Sequence, residues 1–282
     1  MSESDISPPE LAREDVHEID DDRFASERVC VVTGGASGIG RAITLAAAVN
    51  GLTVLATDVD EDGLEGTVDR ARELEVADSL ETVVADLTVD DEIAEIAETA
   101  TDCGQVTFLA NVAGLQHVAP LESFPLEAYD RIQRVMVRAP FVLTRELWSA
   151  LEENQGCVGN MASVHGHYVT SDKVAYNVAK FGVRGLTQSI AAEGGGDVRS
   201  FSVSTGYVET PLVTNQIPET AQQRGIDVEE VVEDVMLGQS RVKELMTPAD
   251  VANLFLVGFS ELARHLNGGD LLFDGGTCLT YE

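Results

Sequence analysis

A tyrosine and a lysine stand four residues apart in the segment YNVAK, residues 176–180. On a helix this spacing puts Tyr176 and Lys180 on one face. An ammonium beside a phenol favours the phenolate, so the pair is expected to bring the phenol from a pKa of about 10 toward the working pH, where it can take or give an alcohol proton. Ser163 lies shortly upstream, just past a short apolar run, and its hydroxyl can hydrogen-bond the same reacting oxygen. Lysine is otherwise almost avoided: it occurs only at Lys173, Lys180 and Lys243, and two of these fall in this one stretch.

A second constellation precedes the first. The segment TGGASGIG, residues 33–40, follows a β-branched run and opens a helical pattern. Gly34, Gly38 and Gly40 would allow a tight turn, close approach to a pyrophosphate and close helix packing, while the N–H groups of Ser37, Gly38 and Ile39 at the helix start would face the phosphates. Asp58 stands 18 residues beyond Gly40, close to the spacing of about 20 at which an acid binds the adenosine ribose hydroxyls. A carboxylate there repels a 2'-phosphate, and Asp60, Glu61 and Asp62 deepen the negative field, so NAD is expected over NADP.

These groups need a frame. Apolar runs at 29–33, 53–57, 82–85, 107–110, 157–161, 200–204 and 271–273 alternate with helical patterns. That rhythm predicts an α/β fold, a doubly wound Rossmann-type seven-stranded parallel sheet with helices on both faces in a single domain, residues 27–282, with ligands at the strand carboxyl ends. Residues 1–26, acidic and carrying Pro8 and Pro9, read as a disordered or loosely docked tail. A polar helical insert at about 211–246 is where a lid could sit. The last helix is expected to start at Thr247, followed by Pro248 and with Asp250 at its third position.

Forty-nine acidic residues against eighteen basic ones give a formal net charge of -31. Such a surface is a poor partner for nucleic acid or anionic membrane. Acidic and lysine-poor, it suits a cytosol at molar salt, where the Debye length shrinks to about 3 Å. The four scattered cysteines form no CxxC pair, no segment reads as a leader or membrane span, and no metal site is expected. A reduced, cytoplasmic setting follows as the expectation.

Together with NVAG at 111–114 and GYVET at 206–210, the two constellations resemble the short-chain dehydrogenase/reductase family over residues 27–282. The resemblance implies Tyr176 as acid/base, Ser163 orienting the reacting oxygen, and Lys180 also holding the nicotinamide ribose. It further implies Asp86 and Leu87 at the adenine, Asn111, Ala113 and Gly114 beside the cofactor, and Gly206, Val208 and Thr210 at the nicotinamide end. Longer stretches at 111–125, 161–180 and 206–218 resemble the 3-hydroxybutyrate dehydrogenase branch, in which the matching Gln116, His165, Lys173 and Gln216 would grip the carboxylate of a small hydroxy or keto acid. The reaction implied is reversible oxidation of (R)-3-hydroxybutyrate to acetoacetate, in a homotetramer. Another 3-oxo compound such as a 3-oxoacyl thioester, a polyol such as glucose, or a cofactor-binding subunit without turnover are the alternatives.

The pattern breaks at Met136, where most members of that family carry an asparagine that binds a water linking the lysine to solvent. A thioether accepts only weakly and donates nothing. Proton relay is therefore the function this sequence puts in question.

Overall fold

The computed structural model describes residues 8–279. Seven parallel strands, β1 (Arg28–Thr33), β2 (Thr53–Asp58), β3 (Leu80–Val84), β4 (Gln105–Asn111), β5 (Cys157–Met161), β6 (Arg199–Thr205) and β7 (Gly269–Phe273), pair in the order β3-β2-β1-β4-β5-β6-β7. The order reverses between β1 and β4, which opens a crevice at their carboxyl ends. The central strands are buried apart from their first residues Arg28 and Gln105, as expected of a parallel sheet covered on both faces, whereas β3, at the edge, exposes Glu81, Thr82 and Val84.

One face is covered by α1 (Gly38–Val49), α2 (Glu61–Glu73) and α11 (Pro248–Phe259). Alanines at 46–48 let α1 pack closely, and Phe201, Phe255 and Phe259 fill the space under α11. The other face carries α3 (Asp90–Cys103), α4 (Leu126–Gln133), α5 (Ala139–Glu146), α6 (Trp148–Glu153) and the long α7 (Val174–Glu193). The start predicted for the last helix is there: Thr247 accepts from the Asp250 N–H at 3.2 Å, and Asp250 accepts from the Thr247 N–H at 2.8 Å.

Two features go beyond the sequence reading. Of its two alternatives for the N-terminal segment, disordered or loosely docked, residues 8–26 take the docked one; residues 1–7 lie outside the described residues. Leu11 and Val16 are buried, the Arg70 guanidinium grips the Leu11 carbonyl at 2.8 Å, Asn253 pairs with the backbone of Asp15 and His17, and Phe24 packs edge-on against Phe108. Buried apolar side chains and the polar grips of Arg70 and Asn253 together seat a segment rich in acids. The second feature lies between α4 and α5, where Arg134–Arg138 forms one π-helical turn containing Met136. The insert comprises α8 (Pro211–Thr214), α9 (Ile217–Arg224), α10 (Val228–Glu230) and a second π turn (Val231–Met236), packed around its own small core of Ile217, Ala221, Val231 and Met236. None of the four cysteines is paired.

Candidate active site

The crevice between β1 and β4 is a continuous cleft. Its floor is the glycine turn. Gly34 and Gly38 adopt φ of 76° and 50°, conformations that side chains disfavour. A Cβ on Gly40 would lie 2.0 Å from the Gly34 carbonyl oxygen, so only glycine lets α1 start this close to β1. The turn is pinned from both sides. The Ala36 N–H donates to Asp58 Oδ2 at 3.2 Å, and Thr33 Oγ1 accepts from the N–H groups of Val112 and Ala113 at 3.0 and 3.2 Å, tying the end of β1 to that of β4.

Gly34, Ser37, Gly38, Ile39, Gly40 and Asp58 line the cleft, as do Asp86 and Leu87 beyond β3, Ala113 and Gly114 beyond β4, and Gly206, Val208 and Thr210 beyond β6. A helix N-terminus over a glycine cradle with an acid on the neighbouring strand fits a dinucleotide. Asp86 is held below the usual carboxylate range, chiefly by the Thr88 N–H, which donates to it at 2.8 Å. Asn111 is the exception among the expected cofactor residues. It is buried at the end of β4 and donates to Asn160 Oδ1 at 2.9 Å, so it sits within the sheet rather than in the cleft lining.

Ser163, Tyr176 and Lys180 line the same cleft. Ser163 is close enough to the Tyr176 hydroxyl to favour its phenolate. Lys180 Nζ donates to the Met161 carbonyl at 2.7 Å and lies 5.4 Å from the centre of the Tyr176 ring. The electrostatics depart from the expectation of a phenol made acidic by an ammonium. Burial raises the Tyr176 pKa, outweighing the influence of Ser163, and burial also lowers Lys180 to about 7. Desolvation acts on both members of the pair, disfavouring the phenolate of one and the ammonium of the other. Tyr176 is therefore protonated at neutral pH, ready to donate.

The turn that carries Ser163 is clamped on two sides. Arg184 Nη1, from α7, donates to the Gly166 carbonyl at 2.5 Å, and His167 Nε2 lies 2.8 Å from Asp270 Oδ2 on β7. Asp270 also accepts from the Ser202 and Ser204 hydroxyls of β6, and it is well sheltered from solvent.

Of the four expected substrate residues, Gln116 and Gln216 meet, with Gln116 Nε2 donating to Gln216 Oε1 at 3.3 Å. Lys173, at the start of α7, has its pKa lowered by burial. His165 is buried and held neutral, its pKa lowered to about 4 first by burial and then by the charges of Lys173 and Lys180. Its ring nitrogens are engaged within the protein, Nδ1 lying 3.4 Å from Ser163 Oγ and Nε2 3.1 Å from Thr170 Oγ1. Neither is free for a carboxylate in this arrangement.

Residue types alone did not single out three further groups. Tyr207 follows β6 and is close enough to disfavour the Tyr176 phenolate; the only signal was an aromatic residue inside the GYVET segment. Tyr168 packs its ring 5.5 Å from that of His165. Arg131, on α4, lines the cleft and stabilises the Asp86 carboxylate, an interaction between residues distant in sequence.

Residues 34–278 match the family model described as enoyl-(acyl carrier protein) reductase. The chain is 35% identical over 255 residues to a D-beta-hydroxybutyrate dehydrogenase of Rhizobium meliloti (strain 1021), covering 88% of this chain and 98% of that one. It is 31% identical over 252 residues to a 3-oxoacyl-(acyl-carrier-protein) reductase of Thermotoga maritima, covering 88% and 97%. A solved structure described as an NAD(P)-dependent gluconate 5-dehydrogenase of Beutenbergia cavernae, with NADP bound at low occupancy, superposes with a TM-score of 0.80 at 28% identity, covering 92% of this chain and 100% of that one. The glycine cradle at the β1/β4 crevice, the Ser163–Tyr176–Lys180 cluster and these likenesses agree: the chain belongs to the short-chain dehydrogenase/reductase family of nicotinamide-dependent oxidoreductases.

Proposed function

We propose that the protein interconverts (R)-3-hydroxybutyrate and acetoacetate with NAD. The observations that support this reading are two polar pairs: Gln116 against Gln216, and Lys173 close enough to act on His165, which itself touches Ser163. Two amides and an ammonium can hold a small carboxylate whose reacting carbon faces Tyr176, and they offset the field of a protein with a net charge of -31. The kinship to a D-beta-hydroxybutyrate dehydrogenase supports the same substrate.

The residues divide the work. Ser163 positions the reacting oxygen, and Tyr176 takes the hydroxyl proton in oxidation or returns it in reduction. Lys180, fixed to the Met161 carbonyl, orients the nicotinamide ribose. Gly34, Ser37, Gly38, Ile39 and Gly40 hold the pyrophosphate, Asp58 takes the adenosine ribose, and Asp86, Leu87, Ala113, Gly114, Gly206, Val208 and Thr210 line the remainder of the cofactor's path. A bound nicotinamide supplies the acceptor or donor of the hydride.

The second reading is reduction of a 3-oxoacyl thioester. It is favoured by the protonated state of Tyr176 and by the kinship to a 3-oxoacyl reductase. We further propose that the protein works in a salt-rich cytoplasm as a homotetramer. The exposed Phe141 of α5 and Val178 and Phe181 of α7 supply an apolar face for the assembly. Among the described residues no helix is long and apolar enough to cross a membrane.

One spectrophotometric experiment in molar KCl tests the substrate. NAD or NADP is offered with each enantiomer of 3-hydroxybutyrate, with glucose and gluconate, and with a longer 3-hydroxyacyl thioester. NADH production from the R enantiomer at the highest kcat/KM is expected. Preference for the thioester moves the assignment to the second reading, and cofactor binding without turnover of any substrate defeats both.

A further inference from the structure

We propose that Ser163, His165 and Thr170 form a proton-conducting chain between the Tyr176 hydroxyl and solvent. The proposal rests on Tyr176 as the proton acceptor of the reaction and adds the route by which that proton leaves.

Two links are contacts and the third is a proximity: Ser163 Oγ lies 3.4 Å from His165 Nδ1, His165 Nε2 lies 3.1 Å from Thr170 Oγ1, and Ser163 is close enough to the Tyr176 hydroxyl to favour its phenolate. The first two members beyond the tyrosine are buried, at 6% exposure each, and the last is exposed, so the chain runs from the reaction cleft to water. The directions are right as well. Ser163 Oγ accepts the backbone N–H of His165 at 3.2 Å, which leaves its own hydrogen to point at Nδ1. The carbonyl of Thr170 accepts from Asn177 Nδ2 at 2.8 Å, so the neighbour of Tyr176 on α7 holds the outer end of the chain in register. The imidazole is clasped between the rings of Tyr168 and Tyr176, each 5.5 Å away.

A relaying imidazole must be neutral, with one nitrogen accepting and the other donating. Burial together with the charges of Lys173 and Lys180 keeps His165 in that form at neutral pH. The competing exit is poorly equipped, because Met136 offers a thioether and Lys180 already spends one N–H on Met161.

In the oxidative direction the O–H bond of the neutral Tyr176 breaks as a new O–H forms on Ser163, and the tyrosine oxygen takes the substrate's hydroxyl proton in its place. The original Ser163 proton moves to Nδ1, the Nε2 proton moves to Thr170 Oγ1, and the threonine proton passes to water. One proton enters from the substrate and one leaves, and Tyr176 ends neutral as it began. The ring finishes in its other tautomer, which exchange of its ring protons with water restores before the next turnover. Reduction runs the same sequence inward.

The test uses Thr170→Val, Thr170→Ser, His165→Gln and His165→Gly, assayed in water and deuterium oxide with whichever alcohol of the panel the wild type oxidises. Thr170→Val removes only the outer link, so kcat should fall about tenfold or more with KM unchanged, the solvent isotope effect on kcat should rise, and Thr170→Ser should restore both. His165→Gly should regain rate when imidazole is added to the buffer. Full kcat and an unaltered isotope effect in Thr170→Val would overturn the chain, as would a loss in His165→Gly that imidazole does not relieve. Failure of the substrate proposal is read separately, from which alcohol the wild type accepts. A readout independent of turnover is the 15N spectrum of the His165 ring: a neutral imidazole whose Nε2 resonance moves in Thr170→Val is expected, and an imidazolium at neutral pH, or an unmoved resonance, contradicts the proposal.

Discussion

Lys180 Nζ is fixed by a 2.7 Å hydrogen bond to the carbonyl of Met161, the last residue of β5, so the helix carrying Tyr176 and the strand leading to Ser163 are joined through the lysine itself. Its pKa is lowered to about 7 by burial, whereas the unfolded chain holds the same proton until far higher pH. Between those values the unfolded state binds more protons, so the contribution of Lys180 to stability grows as pH rises through this window. We expect the melting temperature of the wild type to gain on that of Lys180→Met from pH 7 to 10. The same variant should lose about 100-fold in kcat. Parallel melting curves across the window would contradict the assignment.

Asp58 holds the glycine turn through the Ala36 N–H and its own loop through the Asp60 N–H, each at 3.2 Å. Asp58→Ala should raise the KM for NAD about tenfold, the worth of one to two charge-assisted hydrogen bonds. Loss of its charge should also narrow the preference for NAD over NADP. Initial rates with both cofactors decide the matter, and an unchanged ratio would remove Asp58 from the selectivity argument.

Met136 lies buried in the π turn between α4 and α5. Met136→Asn should raise kcat by opening a second proton route, at a cost in stability of about 1–3 kcal/mol if the amide is incompletely paired. In a His165→Gln background the gain should be larger, since the first route is then cut. Steady-state rates of the two single variants and the double variant measure this coupling; strictly multiplicative effects would mean that the two residues serve separate steps.

Leu11 tests the docked segment. Its side chain is buried and its carbonyl is gripped by Arg70. Leu11→Ala should lower stability by about 2–3 kcal/mol, as for other buried leucines, and leave kcat as it was. A chemical denaturation curve indistinguishable from the wild type's would restore the picture of an unattached tail.

The charge of -31 makes a prediction of its own. Self-repulsion should lower the melting temperature steeply as KCl is reduced from molar to tens of millimolar, where the Debye length grows from about 3 Å to more than 10 Å. A melting temperature independent of salt would count against a halophilic setting.

The sheet and the cleft were legible because periodicity and glycine spacing are local. Seven apolar runs became seven strands, and Gly34, Gly38 and Gly40 meet the end of β1 as their spacing required. Other features depend on contacts distant in sequence. Asn111 turns toward Asn160, and Leu11 is captured by Arg70. The ionisation of Tyr176 could not be read from a four-residue spacing, since the depth at which the pair is buried decides the sign of the shift.

The clamp made by Asp270 on His167 ties the loop after β5 to the seventh and last strand of the sheet. During synthesis the glycine cradle and the tyrosine helix emerge long before that strand does. The serine loop is therefore the part of the site whose clamp is completed last, when the seventh strand joins the sheet.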